Sequence, residues 1–188
     1  MRIIRGKYRG HVIRPPRNFR ARPTTDMARE ALFNILENHF DLQTLSVLDL
    51  FSGTGSISYE FASRDTPVIH LVEQNPVHFR FILKTIEELH FDNIHGYRRD
   101  VFSFLKLCIN RYDLIFADPP FVLRDIEHLP DLILNSGILN PEGWFILEHS
   151  GKYSFSHNPG FLMEKRYGQI HFSFFLKLPA EGHAEKKA

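Results

Sequence analysis

The chain has 188 residues, 43% of them hydrophobic and 24% charged, which is the balance of an ordinary globular domain with enough residues to bury a core. Its one cysteine, Cys108, excludes an internal disulfide framework and a cysteine-built zinc site, and suits a reducing compartment. No apolar run in the sequence approaches the roughly 20 residues of a membrane span, and the basic N-terminus lacks the apolar stretch of a signal peptide; the expectation is a soluble, cytoplasmic protein.

The formal net charge of +1 hides an uneven distribution. Arg2, Arg5, Lys7, Arg9, Arg14, Arg17, Arg20 and Arg22 place eight of the 23 basic residues in the first 22 positions, with no acid before Asp26. The remainder holds 15 basic against 22 acidic residues, a balance of −7. A basic arm on a mildly acidic body points to a polyanionic partner. The plainer alternative is a solvated tail, but Ile3, Ile4, Tyr8, Val12 and Ile13 interleave with the charges and Gly6 and Gly10 offer turns, a pattern closer to a short β-hairpin.

In chain order, "RPPRNFRARPTT" (14–25) reads as an extended connector. Thr24, Thr25 or Asp26 can cap a helix over 26–39, where Ala28, Ala31, Leu32, Ile35 and Leu36 have helical spacing. Strands follow at 46–51, 68–73, 93–98, 112–117 and 144–149, with helices near 55–64, 76–90, 101–110 and 125–136. Such alternation predicts an α/β, doubly wound, Rossmann-like sheet, mainly parallel. "EKRYGQIHFSFFLKL" adds a C-terminal antiparallel hairpin turning near Gly168. The domain reading is an N-terminal hairpin and connector over 1–25, a main domain over 26–178, and a disordered tail over 179–188.

The first strand runs into "LDLFSGTGSISYE". In open α/β sheets ligands bind beyond the carboxyl ends of the strands, where Gly53 and Gly55 allow tight turning and the next helix presents free N–H groups. Glu73 ends the second strand, 24 residues after Asp49, and Asp100 follows the third; the first suits ribose hydroxyls and the second a nucleobase amine. Position 58, where a dinucleotide fingerprint has a third glycine, is Ser58, and no phosphate-binding P-loop pattern occurs. Asp49 near the loop favours a ligand ammonium over a pyrophosphate. S-adenosylmethionine carries that ammonium beside an adenosine.

The fourth strand ends in "DLIFADPPFVLRD". Pro119 and Pro120 fix the backbone and remove two N–H donors, leaving the Asp118 carboxylate and the Pro119 carbonyl as two acceptors beside the glycine loop. Their complement is a planar NH2 group. Accepting both hydrogens makes an aryl amine a better nucleophile toward a sulfonium methyl, and Phe121 offers a face for stacking a base.

These segments make the chain resemble the RsmD-type family of bacterial small-subunit (16S) ribosomal RNA guanine-N2 methyltransferases. The likeness runs in order from "MRIIRGKYRG" through "RPTTDMAREALFNIL", "VLDLFSGTGSISYE", "LVEQN" and "YDLIFADPPF" to "LEH" and "KRYGQIHFSFF". It implies S-adenosylmethionine as cofactor, bound through Asp49, Phe51, Gly53, Gly55, Glu73, Asp100 and Val101. Asp118, Pro119, Pro120 and Phe121 become the target-amine motif. The basic residues of the arm, with Thr24, become the RNA-facing and pocket-closing parts. The implied partner is small-subunit ribosomal RNA, free or as an assembled 30S particle, met by a monomer.

Ser58 departs from the family pattern at a point of close helix–strand packing, and Asp65 stands where relatives tend to have glycine; Asp tolerates a left-handed cap better than most residues. D-P-P-F selects an amine but not its owner, so a DNA adenine or protein glutamine methyltransferase stays open. So does a non-catalytic RNA-binding or assembly protein on the same scaffold. The 11 histidines are scattered without ligand spacing, and no metal is expected. Cys108, Trp144 and the phenylalanines of 172–175 read as packing residues, and Glu148, at the end of the fifth strand, receives no catalytic role.

Overall fold

The computed structural model describes residues 1–16, 19, 25–120, 122–123 and 125–178; the expected disordered tail lies outside them. Among the described residues, β1 (Ser46–Leu50), β2 (Val68–Val72), β3 (Ile94–Tyr97), β4 (Tyr112–Ala117), β5 (Leu139–His149), β6 (Phe161–Tyr167) and β7 (Ile170–Leu176) form one sheet, ordered β3-β2-β1-β4-β5-β7-β6. β1 to β5 pair in parallel. β7 enters antiparallel between β5 and β6, closing the expected C-terminal hairpin.

Helices α1 (Asp26–His39), α2 (Ser56–Ser63) and α3 (Pro76–Glu88) cover one face, where Leu32, Phe33, Leu36, Phe61 and Ile82 pack on Val47, Ile69 and Leu114. Helices α4 (Val101–Leu107) and α5 (Leu129–Asn135) cover the other, packing Phe104, Leu129 and Ile133 on Leu48, Leu50 and Ile115. Strand alternation does the sorting: in β1, Val47 joins the first layer and Leu48 and Leu50 the second, so Asp49 points with Val47 toward α2. Thr25 caps α1 by accepting from the Ala28 N–H at 3.2 Å. Such a cap contributes about 1 kcal/mol, whereas each of the fully buried Leu32, Phe33 and Leu36 contributes about 1.5–3 kcal/mol. Packing therefore decides where α1 sits.

Three boundaries differ from expectation. The segment 125–136 splits into a 3-10 turn at Ile126–His128 and α5, because Pro130 has no N–H and fits only a first helical turn. The helix expected over 101–110 ends at Leu107, with Cys108 extended. β5 begins at Leu139, well before the expected 144; the register shift between Tyr112 and Leu114, with Glu142 at φ 62°, is a bulge that interrupts the strand pattern in the sequence.

The N-terminal segment has one bridge, Arg2 with Val12, and not a regular ladder. The Ile3 N–H donates to the His11 carbonyl, the Gly10 N–H to the Ile3 carbonyl and the Ile13 N–H to the Met1 carbonyl, a short form of the expected hairpin, and other backbone groups bond to the body. The Ile4 N–H donates to Glu60, the Lys7 and Tyr8 N–H groups donate to the carbonyl and hydroxyl of Ser63, and the Ser63 hydroxyl donates to the Arg5 carbonyl. Ile3 and Ile13 are buried in the first core layer. Beneath them, Glu60 receives Arg29 at 3.1 Å and Arg64 at 2.5 Å, and Arg64 also reaches Glu37 at 2.6 Å. Arg29 further donates to the Arg2 carbonyl at 2.6 Å, tying the arm to α1 and α2 through one buried ion network.

Candidate active site

The carboxyl ends of β1, β2, β4 and β5 open into a cavity of about 470 Å³. Phe51, Gly53, Glu73, Val101, Asp118, Pro119 and Pro120, all singled out in the sequence, line it. The loop after β1 is built from alternate left-handed residues, Phe51 at φ 57°, Gly53 at 55° and Gly55 at 79°. At Gly55 a side chain is barred twice, since a Cβ would also lie 2.6 Å from the Tyr59 ring. The Ser52 hydroxyl ties the loop down by donating to the Asp49 carbonyl at 2.8 Å and the Val72 carbonyl at 3.2 Å.

Glu73 joins the two sides of the cleft. Its carboxylate accepts from the Gly53 N–H at 2.9 Å and the Asn75 N–H at 2.7 Å, so the acid at the tip of β2 holds the glycine loop while facing the cavity. Asp49, Gly55 and Asp100 are not on the cavity wall. Asp49 is buried behind the loop, where the Ser58 hydroxyl donates to it at 2.6 Å. Burial raises its pKa to about 7; the Ser58 hydrogen bond opposes that rise and the charge of Glu73 adds to it. Asp100 is exposed and caps α4 by accepting from the Ser103 N–H at 2.9 Å, one residue before the lining Val101.

At the end of β4, Asp118 is half-buried and Pro119 buried. The Pro120 carbonyl accepts from the Leu123 N–H at 2.8 Å, turning the chain, while none of the described residues donates to the Pro119 carbonyl. Asp118 and Pro119 both line the cavity. Burial, then the charges of Glu148 and Asp49, push the Asp118 pKa well above the usual carboxylate range. Phe121 lies outside the described residues.

Sequence reasoning left the far wall out of the site: Glu148, noted only as a strand-end acid, with His149 and Ser150 at the end of β5, Tyr153, Gln169 in the β6–β7 turn and Ile170 at the start of β7. A strand-end acid and histidine were a readable signal; the turn residues came from a distant part of the chain and were not. His149 donates from Nδ1 to the Ser150 carbonyl at 2.9 Å, so its Nε2 accepts from the Ser173 hydroxyl at 2.8 Å. Burial lowers its pKa, and the ring stays neutral. His78, also on the wall, stacks on Phe19 of the connector with centroids 4.1 Å apart.

The described basic residues of the arm are exposed, and three already have acids. Arg2 approaches Asp26 at 3.7 Å, Arg5 meets Glu37 at 2.9 Å and Lys7 meets Asp65 at 2.6 Å. Asp65 adopts φ 64°, the expected left-handed cap. Arg9 and Arg14 have no acidic partner among the described residues, and Arg14 shares a groove along α3 with Arg80 and Lys84. Arg17, Arg20, Arg22 and Thr24 fall outside the described residues. Among the described residues no cluster of three or more side chains could hold a metal, and no helix is long and apolar enough to cross a membrane.

Comparison with known proteins places this geometry. The chain is 28% identical over 182 residues to a ribosomal RNA small subunit methyltransferase D of Buchnera aphidicola, covering 95% of this chain and 92% of that one. It is also 28% identical over 188 residues to the protein of that name from Escherichia coli, covering 98% and 93%. The solved hypothetical protein TTHA0928 of Thermus thermophilus superposes with a TM-score of 0.82 at 26% identity, covering 93% of this chain and 98% of that one. SMU.776, solved in complex with SAH, shares the fold at a TM-score of 0.60 and 19% identity, covering 79% of this chain and 48% of its own. The family model described as Conserved hypothetical protein 95 matches residues 1–176, and the chain belongs to that family, the RsmD type.

Proposed function

We propose that the protein transfers a methyl group from S-adenosylmethionine to the exocyclic N2 amine of a guanine in small-subunit ribosomal RNA. The observation that carries the reading is the pair of acceptors, Asp118 and the Pro119 carbonyl, on the wall of the cavity that Gly53 and Glu73 close from the other side. The cofactor assignment is supported by the donor set. Glu73 offers two carboxylate oxygens at the tip of β2, Val101 an apolar surface at the start of α4, and the turn before α2 a close backbone approach. Bound there, S-adenosylmethionine supplies a methyl group on a sulfonium with a neutral thioether as leaving group.

The chain's own residues do the rest. Asp118 and the Pro119 carbonyl would each accept one N2–H, which makes the nitrogen a better nucleophile, and Asp118 would take the proton that the amine releases on gaining the methyl group. Positioning supplies most of the acceleration, because the leaving group is already activated. Ribosomal RNA as the substrate is supported by the names and near full-length match of the curated relatives, and phosphate contact by the exposed Arg9 and Arg14. An extruded guanine would place its amine at Asp118.

The test is methyl transfer from labelled cofactor to hypomethylated 30S particles and to free 16S RNA, followed by nuclease digestion and identification of the methylated nucleoside. N2-methylguanosine is the expected product. Cofactor-bound protein that labels neither substrate, or labels another base, overturns the reading.

A further inference from the structure

β4 and β5 pair in parallel with Ala117 opposite Leu147. Asp118 and Glu148 are the next residue of each strand, so the two acids leave neighbouring strands side by side, with backbones about 4.8 Å apart. Both face the same cavity, and Glu148 is 8% exposed. Glu148 is engaged within the protein as well, and a carboxylate has about four acceptor sites to share. Burial first, and then the charge of Glu148, raises the Asp118 pKa, in keeping with this adjacency. A second buried acid beside the amine-orienting one is costly, and amine alignment alone, which Asp118 and the Pro119 carbonyl provide, does not call for it.

The bases differ in what stands next to the amine. Beside the guanine N2 amine is N1–H, a donor; beside the adenine N6 amine is N1, and beside the cytosine N4 amine is N3, both bare acceptors. Two adjacent carboxylates complement two adjacent donors. A bare ring nitrogen would set its lone pair against a buried carboxylate, leaving both unpaired. We propose that Glu148 accepts the N1–H of the target base and so makes the site selective for guanine. This rests on the reading of the protein as a guanine-N2 methyltransferase and gives that specificity a residue.

The probe is 2-aminopurine, which keeps the 2-amine but carries no hydrogen on N1. The methylated nucleotide is first mapped with the wild-type protein, and that position is then made guanosine or 2-aminopurine riboside in ligated small-subunit RNA. Transfer to each is compared for the wild type, Glu148→Gln and Glu148→Ala. The wild type is expected to prefer guanine by about 100-fold in kcat/KM. Glu148→Gln, whose amide can donate to a bare nitrogen or accept from N1–H, should reduce the preference to within about tenfold, chiefly by slowing guanine. Glu148→Ala should also collapse it. Because the readout is a ratio on one preparation, loss of folded protein does not alter it. An unchanged ratio in both variants, or a wild type indifferent to the two bases, overturns the assignment of Glu148 alone. Failure of the wild type to methylate guanine at all overturns the functional reading and this inference with it.

Discussion

The Ser58 hydroxyl donates to the buried Asp49 carboxylate at 2.6 Å. Serine at this point is therefore compatible with the close packing of α2 on β1, and it supplies a partner to an acid that burial would otherwise leave unsolvated. Since the folded pKa of Asp49 is raised from 3.8 to about 7, the folded chain keeps a proton that the unfolded chain has released. Stability contributed by this group is full below about pH 4 and is lost as pH rises toward 7, by up to about 1.4 kcal/mol per pH unit. Ser58→Ala removes a hydrogen bond that favours the ionised form and should raise the Asp49 pKa by about one unit. The carboxylate carbon chemical shift against pH reads this directly. An unmoved midpoint would mean that the serine does not support the acid.

In the proposed reaction Asp118 must be ionised to accept an amine hydrogen and then take up the proton, and its folded pKa is held well above 3.8 by burial and by Glu148 and Asp49. The single-turnover rate should therefore climb with pH through an acid limb displaced upward from the ordinary carboxylate range. Glu148→Gln removes one of the two charges and should move that limb to lower pH. Asp118→Ala should cut turnover by about 1,000-fold or more while leaving cofactor affinity, measured by calorimetry, within about threefold. A large loss of affinity would place Asp118 in cofactor binding instead.

Glu60 is the acid shared by Arg29, Arg64 and the Ile4 N–H. Its replacement by alanine leaves two buried guanidinium groups short of a partner, which costs about 3–5 kcal/mol. The same change loosens the arm, because Ile4 loses its acceptor and Arg29, which also holds the Arg2 carbonyl, keeps Asp26 but loses one of its two acids. Denaturant unfolding should show the loss in midpoint, and limited proteolysis should cut first within 1–14. Cleavage there without a shift in midpoint would mean that the arm docks independently of the network.

Much of this was legible in the sequence because it is local. β1, β2 and β4 begin at the expected residues and end within one residue of the expected 51, 73 and 117, and a left-handed conformation at Asp65 follows from residue chemistry alone. The near wall of the cavity, from Phe51 to Pro120, was readable because its residues lie in the short loops or at the helix start that follow the strand ends. The far wall was not. Gln169 and Ile170 reach the site only because β7 inserts between β5 and β6, a non-local event that no spacing encodes. The N-terminal segment folds back on itself as expected, but the sequence did not show where it docks: Ile3 and Ile13 complete the core and its backbone also bonds to α2. The glycines of that segment show the difference. A Cβ at Gly6 would lie 1.8 Å from the Ser63 carbonyl oxygen, whereas one at Gly10 meets nothing within 4 Å.

Those two glycines give a matched pair. Both have positive φ, 85° at Gly6 and 83° at Gly10, so alanine at either costs about 1–2 kcal/mol of backbone strain. Only Gly6→Ala adds a collision with backbone at the end of α2, and its loss of stability should exceed that of Gly10→Ala by about 2 kcal/mol or more. Equal losses in thermal or denaturant unfolding would show that the arm does not press on Ser63 in solution.

Under the proposed function, docking of the arm decides which of its cations would grip RNA. Arg5 and Lys7 must leave Glu37 and Asp65 before reaching a phosphate, whereas Arg9 and Arg14 are exposed without acidic partners among the described residues. Each phosphate contact contributes roughly 0.7–0.9 to the slope of log affinity against log salt. Arg9→Gln and Arg14→Gln should each flatten that slope by about one contact, and Arg5→Gln by less than half of that. Arg80→Gln should resemble Arg14→Gln if RNA follows the groove they share along α3. Binding to labelled 16S RNA across a salt series, with cofactor affinity as the check on folding, separates the two groups. A steeper effect at Arg5 than at Arg9 would mean that the ion pairs with the body open on binding and that the arm swings away from α2 to meet the RNA.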